Sequence, residues 1–564
     1  MWRICLLLLC WPLTTQAAVQ FDVQGLSGDP EQNVTLYLKQ LPAIKAAQLP
    51  RYRADIDQAV RQGLQALGYY QPQINYQKDA DTLTIKVNKG PQLHIRRVDI
   101  RLTGDAQQDP RFQALLKHPG LAPGKGFRHD DYEASKSRFL RLAAQRGYFD
   151  AHFTEAKVAV HVTAQAADVT LHFASGQRYR FGPVTLAGMD VRNSLLAPLI
   201  AVQPGEPYQA AAIAKTSQDI AATGYFRSVE VTPQTDHPDG QQIPVTINLT
   251  AKAKNQVELG LGVSTDEGPR ASVSWHKPML NSRGHSFSSR LKVSKPRQDA
   301  TLEYRIPNGD PLRHFYSLQG GYQHVNQLDT RSSKATLALH RWDKPDSNWN
   351  RDLFLRLDYD SYTQADQSAT SFLVIPGVSF HRTRKRGGTD PYWGDSQWLT
   401  LEASDKLLGS DARFVRLWGR SLWLRSLTPK SRLLMRVEQG ALWVNSITDL
   451  PPSLRFFTGG DQTVRGFAYQ SVAPRNDAGE LVGGRYTTAA SVEYDYQIAS
   501  RWRLAAFVDS GTATNSYRHA DWKVGTGFGV RWLTPIGPVR LDLAFGVSET
   551  HVPWRLHFTM GPMF

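Results

Sequence analysis

The second half of the chain alternates between apolar and polar residues with a period of two. From Gln256 onward, about 16 such runs of roughly ten residues follow one another, and most carry charged residues on their polar face. About ten residues are enough to cross a bilayer as a tilted strand. The pattern predicts an all-β, 16-stranded transmembrane barrel, because a soluble β-sandwich seldom continues through so many consecutive strands. The clearest runs are 257–263, 353–359, 522–532, 539–547 and 554–560.

The first half of the chain repeats instead of alternating. Gly68-Tyr69-Tyr70 recurs as Gly147-Tyr148-Phe149 and Gly224-Tyr225-Phe226, at intervals of 79 (147 − 68) and 77 (224 − 147) residues. Each glycine follows a helical stretch and suits the left-handed residue that ends a helix. Around each one, the pattern reads strand, helix, helix, strand, strand. We therefore predict three α+β repeats of β-α-α-β-β order, at residues 19–91, 92–175 and 176–254, followed by the barrel at 255–564.

Residues 1–18 have the composition of a secretory signal peptide. A basic start precedes a short apolar run and small residues, which indicates cleavage after Ala17 or Ala18. A lipoprotein signal ending at Cys10 is the alternative, but the bulky Leu9 precedes it. Both cysteines lie in this segment, so the mature protein would have no disulfide, thiol nucleophile or cysteine-bound metal.

One segment between predicted strands is much longer than the others. About 40 residues separate Val444 from Tyr486, and they contain the motif Val464-Arg465-Gly466-Phe467. Strand counting places this loop on the extracellular side, and loops of this length are usually functional or disordered. By parity, Glu493 and Asp509 on the following strands face the lumen, where they could pair with Arg465. A solvated loop arginine is the default alternative, but two matching acids favour a loop lock inside the barrel.

Composition narrows the possible functions. The mean hydropathy of −0.40 excludes a bundle of transmembrane helices but not a barrel. The net charge of +15 fits anionic lipid better than nucleic acid, because the predicted signal peptide directs the chain out of the cytoplasm. No Gly-x-Ser-x-Gly or His-Glu-x-x-His motif occurs, so we expect no enzyme, catalytic residue, metal or cofactor.

The motifs resemble those of a known superfamily. The three repeats resemble POTRA domains. The Val-Arg-Gly-Phe loop, the Phe507-Val-Asp-Ser-Gly511 strand and the glycine-rich stretch 525–538 look like the superfamily of BamA, TamA and two-partner secretion transporters. Three POTRA-like units and the basic stretch 376–388 are similar to the TamA family. The resemblance implies assembly or secretion of β-rich proteins such as autotransporters at the outer membrane, with the POTRA domains in the periplasm.

The resemblance also implies a site and partners. Arg465 would anchor the loop against Asp509 and Glu493, and a weak seam would separate the first and last strands. Gly260 and Gly262 remove side-chain packing from the first strand, and Gly561-Pro562 interrupts the last strand, because proline cannot donate to the ladder. Ordinary glycine use in a barrel is the alternative. Phe558 and Phe564 resemble an assembly signal. Expected partners are unfolded outer-membrane clients, outer-membrane lipids and a TamB-like inner-membrane-anchored protein. A two-partner secretion transporter is the nearest alternative, although residues 18–30 leave no room for its plug helix.

Overall fold

The computed structural model describes residues 19–79, 81–188, 191–345, 348–388, 390–534 and 537–560. The predicted signal peptide, Gly561 and Phe564 lie outside these ranges. No helix within the ranges is long and apolar enough to cross a membrane.

The amino-terminal half contains three small sheets, each with two helices. Within each sheet the last strand in sequence lies in the middle, in the orders β1-β3-β2, β4-β6-β5 and β7-β9-β8. This confirms the predicted order of elements in all three repeats. The bounds are β1 Gln20–Gln24, α1 Asp29–Lys39, α2 Leu49–Gln65, β2 Gln73–Asp79, β3 Thr82–Asn88; β4 His94–Thr103, α3 Pro110–Lys117, α4 His129–Arg146, β5 His152–His161, β6 Ala166–Ala174; β7 Arg180–Ala187, α5 Asn193–Leu196, α6 Ala210–Ala222, β8 Phe226–Pro233 and β9 Gln242–Ala251.

The repeated glycines have the backbone conformation that the sequence predicts. Gly68, Gly147 and Gly224 follow α2, α4 and α6 with φ values of 87°, 82° and 74°. In this left-handed region a residue with a Cβ is strained, so glycine ends each helix at low cost. The first helix of the third repeat is much shorter than its counterparts and covers only Asn193–Leu196.

The carboxyl-terminal half forms one antiparallel 16-stranded sheet, as predicted. Neighbouring strands in sequence are also neighbours in the sheet from β10 to β25. The bounds are β10 Gln256–Ser264, β11 Gly268–Lys277, β12 Ser286–Ser294, β13 Arg297–Pro307, β14 His314–Gln327, β15 Thr330–Asp343, β16 Asn350–Gln364, β17 Gln367–Arg386, β18 Trp393–Ser404, β19 Phe414–Ser426, β20 Ser431–Val444, β21 Tyr486–Ala499, β22 Trp502–Thr514, β23 Lys523–Thr534, β24 Gly537–Gly546 and β25 Trp554–Met560.

The alternation along these strands separates an apolar outer face from a charged inner face. Leu337, Leu339 and Leu355 are exposed on the outer face, where lipid would cover them. Inward-facing Asp358 and Glu402 are buried, and both accept hydrogen bonds from Arg356, at 2.8 Å each. These three charged residues of the inner face are thus paired with one another in the lumen.

Candidate functional site: the lumenal loop and the barrel seam

The loop between β20 and β21 folds against the inner wall of the barrel. Its first part contributes Ile447, Leu450, Leu454 and Phe456 to a buried apolar cluster. The wall contributes residues that face the lumen by parity, namely Leu373, Ile375, Phe414 and Leu442. Apolar residues on the inner face bury the loop at the extracellular end.

Arg465 lies at the centre of the site, with its guanidinium directed at the wall. Its Nε and Nη2 donate to the two carboxylate oxygens of Asp509 at 2.7 and 2.9 Å, and its backbone N–H donates to the same carboxylate at 3.0 Å. Its Nη1 donates to Glu493 Oε2 at 2.7 Å. The guanidinium carbon also lies 3.4 Å from the centre of the Phe507 ring. The structure thus brings together Arg465, Asp509 and Glu493, the three residues that the sequence analysis linked.

Two further charged residues complete the network. Arg465 Nη1 also donates to Asp542 on β24 at 3.2 Å. Arg531 on β23 donates to Glu493 at 3.0 Å and also pairs with Asp542. All five charged groups are buried. Sequence reasoning missed Asp542 and Arg531, although their polar parity in the alternating runs 522–532 and 539–547 already placed them in the lumen.

Close backbone contacts seat the loop on β23 and β24. A Cβ on Gly525 would overlap the carbonyl oxygen of Arg465. Gly466 has a φ of 93°, and a Cβ there would lie 2.9 Å from backbone atoms of Phe545 and Gly546. Val464 and Phe467, on either side, are buried. The motif residues therefore act together: two apolar side chains flank the arginine, and glycine permits the close approach.

The seam between the first and last strands of the barrel has no ladder within the described residues. The sheet order begins at β10 and ends at β25, and these two strands do not pair with each other. Across the seam, the Thr265 N–H donates to Phe558 O and the Phe558 N–H donates to Thr265 Oγ1, both at 3.3 Å. Leu261 on β10 is 86% exposed. Among the residues that the structure describes, no strand pairs with β10 along the edge opposite β11.

A polar cluster joins three segments at the extracellular end of this seam. Gly466 N–H donates to His557 Nε2 at 3.0 Å, so the proton of the neutral ring is on Nδ1, which donates to Asp461. Asp461 N–H donates in turn to Asp266 Oδ2 at 3.0 Å. Burial and the nearby Asp461 raise the pKa of the Asp266 carboxyl to about 6. One oxygen or nitrogen atom from each of Asp266, Asp461 and His557 lies within 4.8 Å of the others, the spacing that a metal ion would need, but both His557 nitrogens already have hydrogen-bond partners.

Of the remaining residues predicted for the seam, some lie on β10 or β25 and others fall outside the described ranges. Gly260 and Gly262 lie on β10, where a Cβ would meet side chains of the neighbouring β11, at 2.5 Å from Ser272 Oγ and 2.8 Å from Arg270 Nε. The two glycines therefore leave room for the side chains of Ser272 and Arg270 on β11. Phe558 lies on β25 and contacts Thr265, whereas Gly561 and Phe564 fall outside the described ranges.

Comparisons with known proteins agree with this architecture. The family model of the Omp85 superfamily domain matches residues 255–564. A model described as POTRA domain TamA domain 1 matches residues 20–89, and a POTRA model described as surface antigen variable number repeat matches 179–252. Outer membrane protein assembly factor BamA of Nitratidesulfovibrio vulgaris is 22% identical over 527 residues. That match covers 87% of this chain, but the chain spans only 65% of the relative's length.

A solved structure shows a similar fold. The crystal structure of BamA from Haemophilus ducreyi lacking POTRA domains 1–3 matches with a TM-score of 0.71 at 16% identity, over 83% of this chain and 99% of that chain. CdiB from Acinetobacter baumannii matches with a TM-score of 0.46 at 13% identity, over 95% of this chain and 99% of that chain.

The fold and its lumenal loop define an outer-membrane β-barrel preceded by POTRA domains in the periplasm. The chain belongs to the Omp85 superfamily.

Proposed function

We propose that this protein inserts or secretes β-rich outer-membrane proteins by offering the free edge of β10 to an incoming strand. The observation that carries the proposal is the missing ladder between β10 and β25 within the described residues. The 22% identical relative is named an outer membrane protein assembly factor, which supports the same role.

The physical reason is the cost of unpaired backbone groups in a membrane. Each backbone N–H or C=O group without a partner in the hydrocarbon region costs several kcal/mol of free energy. A client strand that pairs with β10 would satisfy these groups on both strands, so the edge would favour its insertion. The lumenal loop, held by Arg465, would keep the inner wall in shape while the seam opens.

The POTRA domains offer edges for partners in the periplasm. In the first two sheets the outer strands are β1 and β2, and β4 and β5, while β3 and β6 lie in the middle. An outer strand can accept a partner's strand through backbone hydrogen bonds with little side-chain specificity. We propose that the partners that supply such a strand are clients, such as autotransporters, and a TamB-like protein. The match to the model described as TamA domain 1 favours the TamA branch.

We further propose that residues 1–18 direct export as a signal peptide and that lipids of the outer membrane surround the barrel. Strand exchange involves no covalent step, so the proposed function requires no catalytic residue.

Site-specific photo-crosslinking tests the proposal. A photoreactive residue at Leu261 on β10 should crosslink to an unfolded outer-membrane client during assembly, because this side chain borders the free edge. The matched control is Leu504 on β22, which is also on the lipid-facing side but lies between two paired strands. Equal yields at the two positions, or no client adduct at Leu261, would contradict the proposal.

The same crosslinking experiment distinguishes the proposed function from that of a two-partner secretion transporter, the nearest alternative. A two-partner secretion transporter would export a β-helical partner, and we propose the lumen as its route. It should therefore crosslink from an inward-facing position such as Thr336 and not from Leu261. Thr336 faces the lumen, where it donates to Asp358 at 2.7 Å.

A further inference from the structure

A row of side chains crosses the outer wall of the barrel at its periplasmic end. His314, Asp343, Arg351, Phe380 and Leu399 are successive register partners on β14 to β18. They lie on the lipid face, because they share the parity of exposed leucines on the same strands, namely Leu318, Leu339, Leu355 and Leu401. β14 is the fifth strand of the barrel and begins at His314, so this end faces the periplasm.

The row forms part of a concave site. Together with Arg341, Pro345 and Trp349, it lines a cavity of about 620 Å³. The Arg382 guanidinium lies 4.7 Å from the centre of the Trp349 ring and holds that wall in place. Within the basic stretch 376–388, β17 continues as strand to Arg386, so its arginines alternate with inward-facing residues.

The charges in this cavity favour an anion. Asp343 is buried and accepts from Arg351 Nη2 at 2.8 Å and from His314 Nδ1 at 3.0 Å, and Arg341 Nε lies 3.4 Å away. One carboxylate thus fixes two guanidiniums and an imidazole. Each guanidinium has five N–H donors, so most of them stay available for a ligand. Among the described residues that line the site, Arg341 and Arg351 outnumber the single carboxylate, Asp343.

The position limits the ligand to a lipid. Phe380 and Leu399 continue the apolar outer face, whereas Arg341 and Arg351 lie where that face meets the headgroup region. Arginine binds phosphate through paired hydrogen bonds, and tryptophan favours the membrane interface. We infer that this cavity binds the headgroup of an anionic phospholipid in the periplasmic leaflet. The inference depends on the outer-membrane location and not on the assembly function.

Native mass spectrometry of the full-length protein in detergent tests the inference. We expect phosphatidylglycerol to bind at least about tenfold more tightly than phosphatidylethanolamine, a difference of about 1.4 kcal/mol. The double variant Arg341→Gln/Arg351→Gln should lose this preference. The matched control is Arg413→Gln/Arg518→Gln, which removes the same charge from exposed extracellular loops and should keep it.

Two further measurements keep the test decisive. Trp349→Ala retains both arginines but removes one wall, so it should weaken phosphatidylglycerol binding about threefold to tenfold; it also serves if the double variant fails to fold. Glycerol 3-phosphate should not compete at the concentration of the lipid, because it lacks acyl chains. Equal binding of the two lipids to the unaltered protein, undiminished phosphatidylglycerol binding by the folded variants, or full competition by glycerol 3-phosphate would overturn the inference.

Discussion

At the scale of residues, the site depends on a buried charge network. Arg465 and Arg531 face the carboxylates of Asp509, Glu493 and Asp542, with every group removed from bulk water. Removing one partner from such a network leaves a buried charge uncompensated, which costs about 3–5 kcal/mol. Loss of any one member of the network should therefore weaken the seating of the loop.

Substitution of Arg465 should release the loop while the barrel remains intact. Arg465→Ala loses the side-chain contacts to the wall, and Arg465→Lys cannot reproduce the two-pronged bond to Asp509. We expect both variants to be inserted but to lose at least about tenfold in client assembly, following the cost above. Hydrogen–deuterium exchange of the loop should rise in parallel. Arg475→Ala, an exposed arginine in the same loop, is the control; full activity of Arg465→Lys would contradict the lock.

A glycine substitution tests the same seating from the wall side. Gly525→Ala would place a methyl group against the Arg465 carbonyl oxygen, so we expect the loop to be displaced. In Gly320→Ala, on β14, the added methyl group would meet open space, so that variant should behave like the unaltered protein. Limited proteolysis of the loop measures the difference. Equal protection of the two variants would show that the loop does not press on β23.

At the scale of elements, the cap of α3 shows how local signals are reinforced by tertiary contacts. Asp109 accepts from the Arg111 backbone N–H at 2.9 Å and from the Tyr148 hydroxyl at 3.1 Å, and it pairs with Arg146 on α4. Burial alone would raise the pKa of Asp109, but Arg146 and the Arg111 N–H outweigh it and lower the pKa. The ionised carboxylate therefore stabilises the second POTRA domain.

The stability that Asp109 contributes therefore depends on pH. Because the folded pKa is lowered, the contribution of Asp109 is present above its unfolded pKa of about 4 and is lost as the pH falls. Asp109→Ala should increase the exchange of α3 amides at pH 7, corresponding to about 1–3 kcal/mol of lost stability, and the difference from the unaltered protein should shrink towards pH 3. A difference that grows on acidification would contradict this role.

Some of these elements could be predicted from the sequence, and others could not. The left-handed glycines at 68, 147 and 224 and the period of the barrel strands are local signals, so the order of elements followed from the sequence. Glu493 and Asp509 followed from strand parity. The cluster of Asp266, Asp461 and His557 did not, because it joins three segments that are far apart in sequence. The short α5 was also unforeseen, since a helix of four residues carries no periodicity.

At the scale of the whole molecule, the described residues form a barrel in which one edge of β10 has no strand partner, next to an ordered loop. Fifteen strand pairs link β10 to β25, while Thr265 and Phe558 form hydrogen bonds between the described ends of the sheet. The loop contacts this same region, because Gly466 and Asp461 both bind His557 on the last strand. The position of the loop and the state of the seam are thus physically connected at the extracellular end.

The central claim is that this seam must open for a client to be assembled, and a reversible covalent lock tests it most directly. In Thr265→Cys/Phe558→Cys, a disulfide would join the two residues that already bond across the seam. Client assembly in proteoliposomes should be lost in the oxidised protein and restored by a reductant, while each single-cysteine variant stays active under both conditions. Assembly by the fully oxidised protein at the rate of the reduced one would contradict the account.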